Sequence, residues 1–288
     1  MANLRIIYDN AADRATIVAS STTGLLGVQN LKSEIKALPF RSVGTSVTLD
    51  LSWATNEYFG GLFLPASNLT PQATCRILGF SDSAHLTQIF DTGVAFANPG
   101  SALGQITLGQ PLNANATSSD GTLPLNANSF AYGAGAKCIQ WANQQYIVKS
   151  LRVILDDPQN PFGKIDISRL ITGGYWSPQH NASYGAELIP DDNSKITRTD
   201  SRDFIVDRNE IIDIMKFDIE GMPSVDRAVL TKIIKGVGTY RSISVFLIPT
   251  GDDPLLQQDS SIYGKRDNSG IRFTSFNAYS NSFYIQGW

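Results

Sequence analysis

Apolar and polar residues alternate at Val47, Leu49 and Leu51 against Thr48, Asp50 and Ser52. That period of two marks a strand with one buried face. Tyr58–Leu64 follows as an apolar run and Thr74–Phe80 as a third segment, so Val47–Asp82 predicts three short strands. Between the last two, Pro65 and Pro71 block a ladder while Ser67 and Asn68 offer side-chain hydrogen bonds to a turn. Asn3–Ile7 and Ala15–Ala19 predict earlier strands, and Val28–Leu38 a helical turn. Tyr146–Leu155, the turn Asp156–Gly163 and Lys164–Gly173 together predict a hairpin. Short strands separated by turn signals fit a sandwich or a barrel.

A tract from Thr92 to Gln145 is rich in Ala, Asn, Gly and Ser, and is long for a connection. It predicts strands at Gln105–Leu108 and Lys137–Trp141. Tyr175–Pro190 has no periodicity and reads as a linker. Beyond it, Lys195–Thr199 and Arg202–Asp207 predict strands. Met215, Phe217 and Ile219 alternate with Lys216, Asp218 and Glu220 in another. Val225–Lys235 predicts a helix with Ser224 as N-cap, Asp226 near its positive end, Lys232 and Lys235 near its negative end, and Gly236 as the left-handed cap. Its apolar face would hold Val225, Val229 and Ile233 with Leu230, Ile234 and Val237. Strands at Ser242–Ile248, Ile271–Phe276 and Ser282–Gln286 complete an α+β unit. The expected chain is mainly β: a sandwich at 1–178 with an insertion at 91–145, a linker at 179–193, and a smaller α+β domain at 194–288.

Length and charge narrow the function. At 288 residues the chain has room for two domains. Its net charge of −3 supplies no basic footprint, so nucleic-acid binding is not expected. The opening stretch MANLRIIYDNAADRATI has no uninterrupted apolar core after a basic start and predicts no secretory signal. No stretch has the length and apolarity of a membrane span, so no insertion is expected. Cys75 and Cys138 read as two buried thiols and not as a disulfide.

The segments VTLDL, GGLFLPASN and ATCRILGFSD, with KSLRVILDDPQNPFGKIDISRLITGG, resemble the galactose-binding-like, or discoidin-like, jelly-roll domain. They are similar to the version carried by tail proteins of long-tailed, siphovirus-like bacteriophages. In that version the pattern of Arg152, Asp156, Gly163, Ile167, Arg169 and Gly173 recurs in the last hairpin. This resemblance covers residues 3–178. After residue 194 the order of elements resembles the tail-tube and distal tail protein fold. The two resemblances imply a structural component of a phage tail tip or baseplate, a distal-tail-like or adjacent minor tail protein, made in the host cytoplasm and carried in the virion. Its partners would be further copies of itself in a ring such as a hexamer, and other tail and baseplate proteins. Interface residues would be Val225, Val229 and Lys232 on the helix, Tyr263 in the stretch Pro254–Arg266, and Tyr284 and Trp288 near the end.

The alternative is a carbohydrate-binding adhesin that recognises host surface glycans. Arg41, Asn68 and Arg76 would hydrogen-bond the sugar, with Tyr175 and Trp176 as contact rings; Trp53 and Trp141 read as packing. An enzyme is not expected, and neither is a cofactor or a metal. His85 and His180 read as exposed loop residues without ligand-spaced partners. The acidic pairs Asp156-Asp157, Asp191-Asp192 and Asp252-Asp253 lie beside Pro, Asn or Gly, where Asp favours turns. A glycan-degrading enzyme would need two such carboxylates facing across a cleft. Calcium in the jelly-roll loops would need clustered oxygens, and no D-x-D-x-D-G loop is present.

Overall fold

The computed structural model describes residues 3–70, 72–97, 106–107, 110–111, 136–209, 211–250 and 254–288. Much of the predicted insertion, including Gln105 and Leu108 of one expected strand, lies outside the described residues. In chain order the first strands are β1 (Arg5–Ile7), β2 (Thr16–Ala19), β3 (Phe40–Arg41), β4 (Ser46–Ser67), β5 (Thr74–Phe80), β6 (Gln88–Asp91) and β7 (Ala95–Phe96). Next come β8 (Ile106–Thr107), β9 (Gln110–Pro111), β10 (Ala136–Asp156), β11 (Asp166–Ile167), β12 (Ile171–Gly173), β13 (Glu187–Asp192), β14 (Lys195–Arg198) and β15 (Phe204–Asp207). The remainder is β16 (Ile211–Met222), helix α1 (Ser224–Val237), β17 (Ser242–Phe246), helix α2 (Pro254–Asp259), β18 (Ser261–Arg266), β19 (Arg272–Ser275) and β20 (Ala278–Gly287).

The chain forms two compact units. One comprises Asp9–Tyr175 with Thr250–Gln258, and the other Met1–Tyr8, Trp176–Pro249 and Asp259–Trp288. The first is a jelly-roll β-sandwich whose strands run in the order β3-β11-β4-β10-β5-β6, with β2 and β12 also on β4 and β7 on β5. Its spine is the antiparallel pair β4 and β10. Leu51 faces Leu151, Phe59 faces Tyr146 and Phe63 faces Ile139. Two expected strands, Val47–Ser52 and Tyr58–Leu64, are thus halves of one, joined across a register irregularity opposite 141–150. The first half of β4 alternates in burial, while Phe59–Ser67 is buried on both faces, which explains why its hydrophobicity loses the period of two.

The expected hairpin from Tyr146 to Gly173 does not form. Both edges of β10 are taken, one by β4 and the other by β5, so β11 and β12 pair with the opposite edge of β4 instead. The core joins Leu49, Leu51, Phe59, Leu62, Leu64, Ile77, Leu151, Val153 and Leu155. Each such side chain stabilises the fold by about 1.5–3 kcal/mol on burial. Trp53 packs there as expected, its indole N–H donating to the Ala11 carbonyl at 2.8 Å.

The second unit is α+β, a sheet of order β1-β17-β18-β20-β16-β13 with β19 on β20. Two expectations change here. The first strand pairs with β17 and belongs to this sheet, not to the sandwich. Part of the expected linker, Glu187–Asp192, is a strand on the edge of β16. Helix α1 buries Leu230, Ile233 and Val237 against Met215, Phe217, Ile219 and Phe283. Its caps also differ from expectation. Pro223 is the N-cap and offers no side-chain bond; Gly238, with φ +59°, and not Gly236, ends the helix. Asp226 is buried and accepts the Gln179 N–H at 2.8 Å, next to the positive helix end. The stretch Pro254–Arg266, expected as an interface loop, is α2 followed by β18.

Candidate functional site

Where β4 leaves the sheet of the sandwich, several loops are stitched together. Arg41 on β3 stands opposite Asp166 on β11 and makes a two-pronged bond to its carboxylate, at 2.7 and 2.9 Å. Hydrogen bonding by Asp166 pushes the Arg41 guanidinium above its ordinary range. Asn68 donates to the Lys164 carbonyl at 2.9 Å and accepts the Asp166 N–H at 2.8 Å. Beneath them Asp157 is fully buried; it accepts from the Thr70 N–H and hydroxyl and from the Asn160 amide. Asn160 in turn accepts the N–H groups of Phe162 and Gly163, each at 3.0 Å. Gly163 takes φ +64°, a left-handed turn that costs glycine little. The consequence is a tethered turn that holds the Phe162 ring outward, 68% exposed.

Neighbouring loops are tied into the same end. Thr23 N–H donates to Arg41, Arg41 N–H to Leu26, and Ser42 N–H to Ile165, while the Val43 N–H reaches the Ser21 hydroxyl. Leu25 and Val43 are exposed on these loops. The cluster therefore offers a planar ion pair, an amide and an outward aromatic ring. Such a set suits a ligand with polar rims and C–H faces. Sequence reading found Arg41 and Asn68, which the structure brings together through Asp166. It missed Asp157, Asn160 and Phe162, whose turn composition gave no sign of the buried anchor.

Arg76, the third expected hydrogen-bonding residue, lies elsewhere, on the outer face of β5. Its guanidinium is bound to Asp91 at 3.0 and 2.5 Å, which holds that carboxyl below its usual range. On the same face Arg152 makes a like pair with Asp50, at 2.7 and 3.0 Å. His85 is not an exposed loop residue: its ring packs edge-on against Phe80 and its Nε2 lies 3.9 Å from Asp50. The loop around it is held by Asp82, which accepts N–H groups of Ala84, Leu86 and Thr87.

Tyr175 lies half-buried over Gly60, where a Cβ would come within 2.6 Å of the ring. It also meets Trp141 edge-on at 5.4 Å, and Gln145 holds its N–H and carbonyl. Trp176 is corrected outright. Only 7% exposed, it packs in the core of the α+β unit and cannot face a glycan.

The expected interface residues do not form one surface either. Val225 and Lys232 are exposed on α1, whereas Val229 packs toward the core. Tyr263 is buried, with Trp288 edge-on to it at 5.5 Å, and Tyr284 lies under the Lys216 ammonium. Among the described residues no group of three or more His, Cys, Asp or Glu could hold a metal ion, and no helix is long and apolar enough to cross a membrane.

No protein-family model and no curated protein matches the chain. Solved structures do. The chitosan-binding module 1 derived from a chitosanase/glucanase of Paenibacillus sp. IK-5 is 11% identical, with a TM-score of 0.37, over 58% of this chain and 99% of that one. A Streptococcus pneumoniae fucose binding module, SpX-3, is 10% identical with a TM-score of 0.33, over 58% and 99%. A fucosidase from Ruminococcus gnavus in complex with fucose is 11% identical with a TM-score of 0.35, over 59% of this chain and 27% of that one. At these scores the similarity assigns neither ligand nor residue roles. Nothing in the comparisons supports a phage tail or baseplate protein, or a ring of copies.

Proposed function

We propose that the jelly-roll unit binds carbohydrate at the loop end anchored by Asp157, and that the chain acts as a binding protein without catalysis of its own. The observation that carries this reading is the tethered turn that presents Phe162 on the loops that also hold the Arg41–Asp166 pair. A pyranose ring offers C–H groups on its faces and hydroxyls around its rim. Phe162 supplies a surface for the first, on a turn whose backbone is tied to Asn160 before the ligand arrives, which lowers the ordering cost of binding. Arg41, Asp166 and Asn68 supply donors and acceptors for the second.

The test is a glycan array with the full chain, followed by titration calorimetry on the glycans retained. Phe162→Ala should weaken binding by roughly tenfold without shifting the urea midpoint. A protein that retains no glycan, or a Phe162→Ala variant of unchanged affinity, overturns the proposal.

A further inference from the structure

One rung of the β4–β10 ladder stands apart from the loop end. Tyr58 faces Ile147 across the pair, and the two side chains are 61% and 53% exposed. Gly60, two residues on, has its absent side chain on the same face of β4 as Tyr58. The Tyr175 ring takes that space: a Cβ on Gly60 would come within 2.6 Å of the ring and 3.1 Å of the Gln145 side chain. Gly174 leaves room in the same way, since a Cβ there would meet Gln145 Oε1 at 2.8 Å and Tyr58 Cβ at 3.1 Å. Tyr58, Ile147, Gln145 and Tyr175 therefore lie side by side on one face of the sheet.

Tyr175 is positioned before any ligand arrives. Gln145 accepts its N–H and donates to its carbonyl, each at 3.1 Å, and Trp141 meets its ring edge-on. Gln145 itself sits where β10 slips register between Trp141 and Tyr146, and an irregularity of this kind re-aims side chains.

The chemistry of the patch is neutral. No Asp, Glu, Lys or Arg occurs in residues 58–75, 138–148 or 170–185. Glu57, next to Tyr58, is engaged by Arg14, and Lys149 donates to the Ala54 carbonyl. What is offered to a ligand is two tyrosine rings, an isoleucine side chain, the Tyr58 hydroxyl, and the second N–H and second lone pair of the Gln145 amide. Rings take C–H faces and an uncharged amide takes hydroxyls, a combination that matches a neutral pyranose. An anionic ligand would find no counter-charge here. Four side chains are also too few for a stable protein contact, which covers about 800 Å² and about 20–30 residues a side.

We propose that this face of the β4–β10 pair is a second carbohydrate site, on which a neutral sugar stacks against Tyr58 and Tyr175 and hydrogen-bonds to Gln145. It shares with the loop-end reading only the class of ligand and uses none of the same residues. From Tyr58 the strand runs on to Ser67, about 30 Å of chain, before it reaches the loops of Asn68 and Phe162. One short saccharide cannot span that length, so the two sites fill separately. A polysaccharide long enough to reach both is held at two points, and its avidity exceeds the affinity of either site.

Titration calorimetry of the full chain tests the second site, with short oligosaccharides chosen from the glycans that the parent retains on an array. The parent is expected to bind two equivalents. Tyr58→Ala should weaken one of them roughly tenfold and Phe162→Ala the other, while Tyr58→Phe keeps the ring and should stay within about twofold of the parent. Tyr58 is exposed, and circular dichroism with a urea midpoint verifies that its variants fold. The proposal is overturned if Tyr58→Ala binds every retained glycan as the parent does, or if every glycan binds as a single equivalent that Phe162→Ala weakens. A single equivalent weakened by Tyr58→Ala and not by Phe162→Ala would uphold this site and overturn the loop-end one. A chain that retains no glycan overturns both.

Discussion

Asp157 and Thr70, 87 residues apart in the chain, are joined by two hydrogen bonds, from the Thr70 N–H at 2.8 Å and from its hydroxyl at 2.5 Å. Both ends of this link are buried. It fixes the exit from β4 to the turn after β10, and so places Asn68 and Phe162 on one set of loops. Asp157→Ala strands buried donors on Thr70 and Asn160, and should destabilise the sandwich by about 3 kcal/mol in urea unfolding. Glycan binding should fall with it. A variant as stable as the parent would mean that the link does not anchor the loops.

Acid should loosen the outer loops of the sandwich. Asp82 is held below its usual 3.8 by the N–H groups of Leu86 and Thr87, and Asp91 by its bond to Arg76. A carboxylate with a folded value below its unfolded one contributes stability above the unfolded value and loses it as pH falls through the folded one. Urea midpoints should therefore drop below about pH 4, and Asp82→Asn should flatten the drop. Asp13, raised chiefly by burial, works in the other direction, favouring the fold at low pH and losing that contribution as pH rises. Parallel pH profiles for the parent and Asp82→Asn would contradict this account.

Helix α1 separates two glycines that look alike in sequence. Gly236 is inside the helix with open space where a Cβ would stand, so Gly236→Ala should stabilise the unit by about 1 kcal/mol. Gly238 ends the helix at φ +59°, where an L side chain is strained, so Gly238→Ala should destabilise by about 1 kcal/mol. Chemical denaturation of the pair decides the cap: the reverse ranking would put it at Gly236.

Cys75 and Cys138 are free and buried. A hydrogen bond with Cys75 and burial push the Cys138 thiol well above its ordinary range. Neither should react with a neutral thiol reagent in the native protein, and both should react in urea, since the thiolate is the nucleophile. Rapid native labelling at either position would place it at the surface.

Much of the fold was legible because hydrophobic period reports burial locally. The alternation at Val47, Leu49 and Leu51 and at Met215, Phe217 and Ile219 marked strands that the structure contains. Alternation does not state which strands pair. The β4–β10 pairing takes up both strands almost end to end, and that decided why Lys164–Gly173 pairs with β4 and not with Tyr146–Leu155.

What the amino-acid order determined by itself was element type and burial: a mainly β chain, a sandwich before an α+β unit, one amphipathic helix after Pro223, and two buried thiols. These follow from side-chain volume, period and turn chemistry within a few residues. Only the tertiary structure decided which distant groups meet. It took Arg76 to Asp91, joined Arg41 and Asn68 through Asp166, sent Trp176 into a core, and set Asp157 beneath the loop that carries Phe162. Those pairings depend on strand register across the sheets, where a shift of one residue reverses the face of every side chain, and no local pattern encodes that shift.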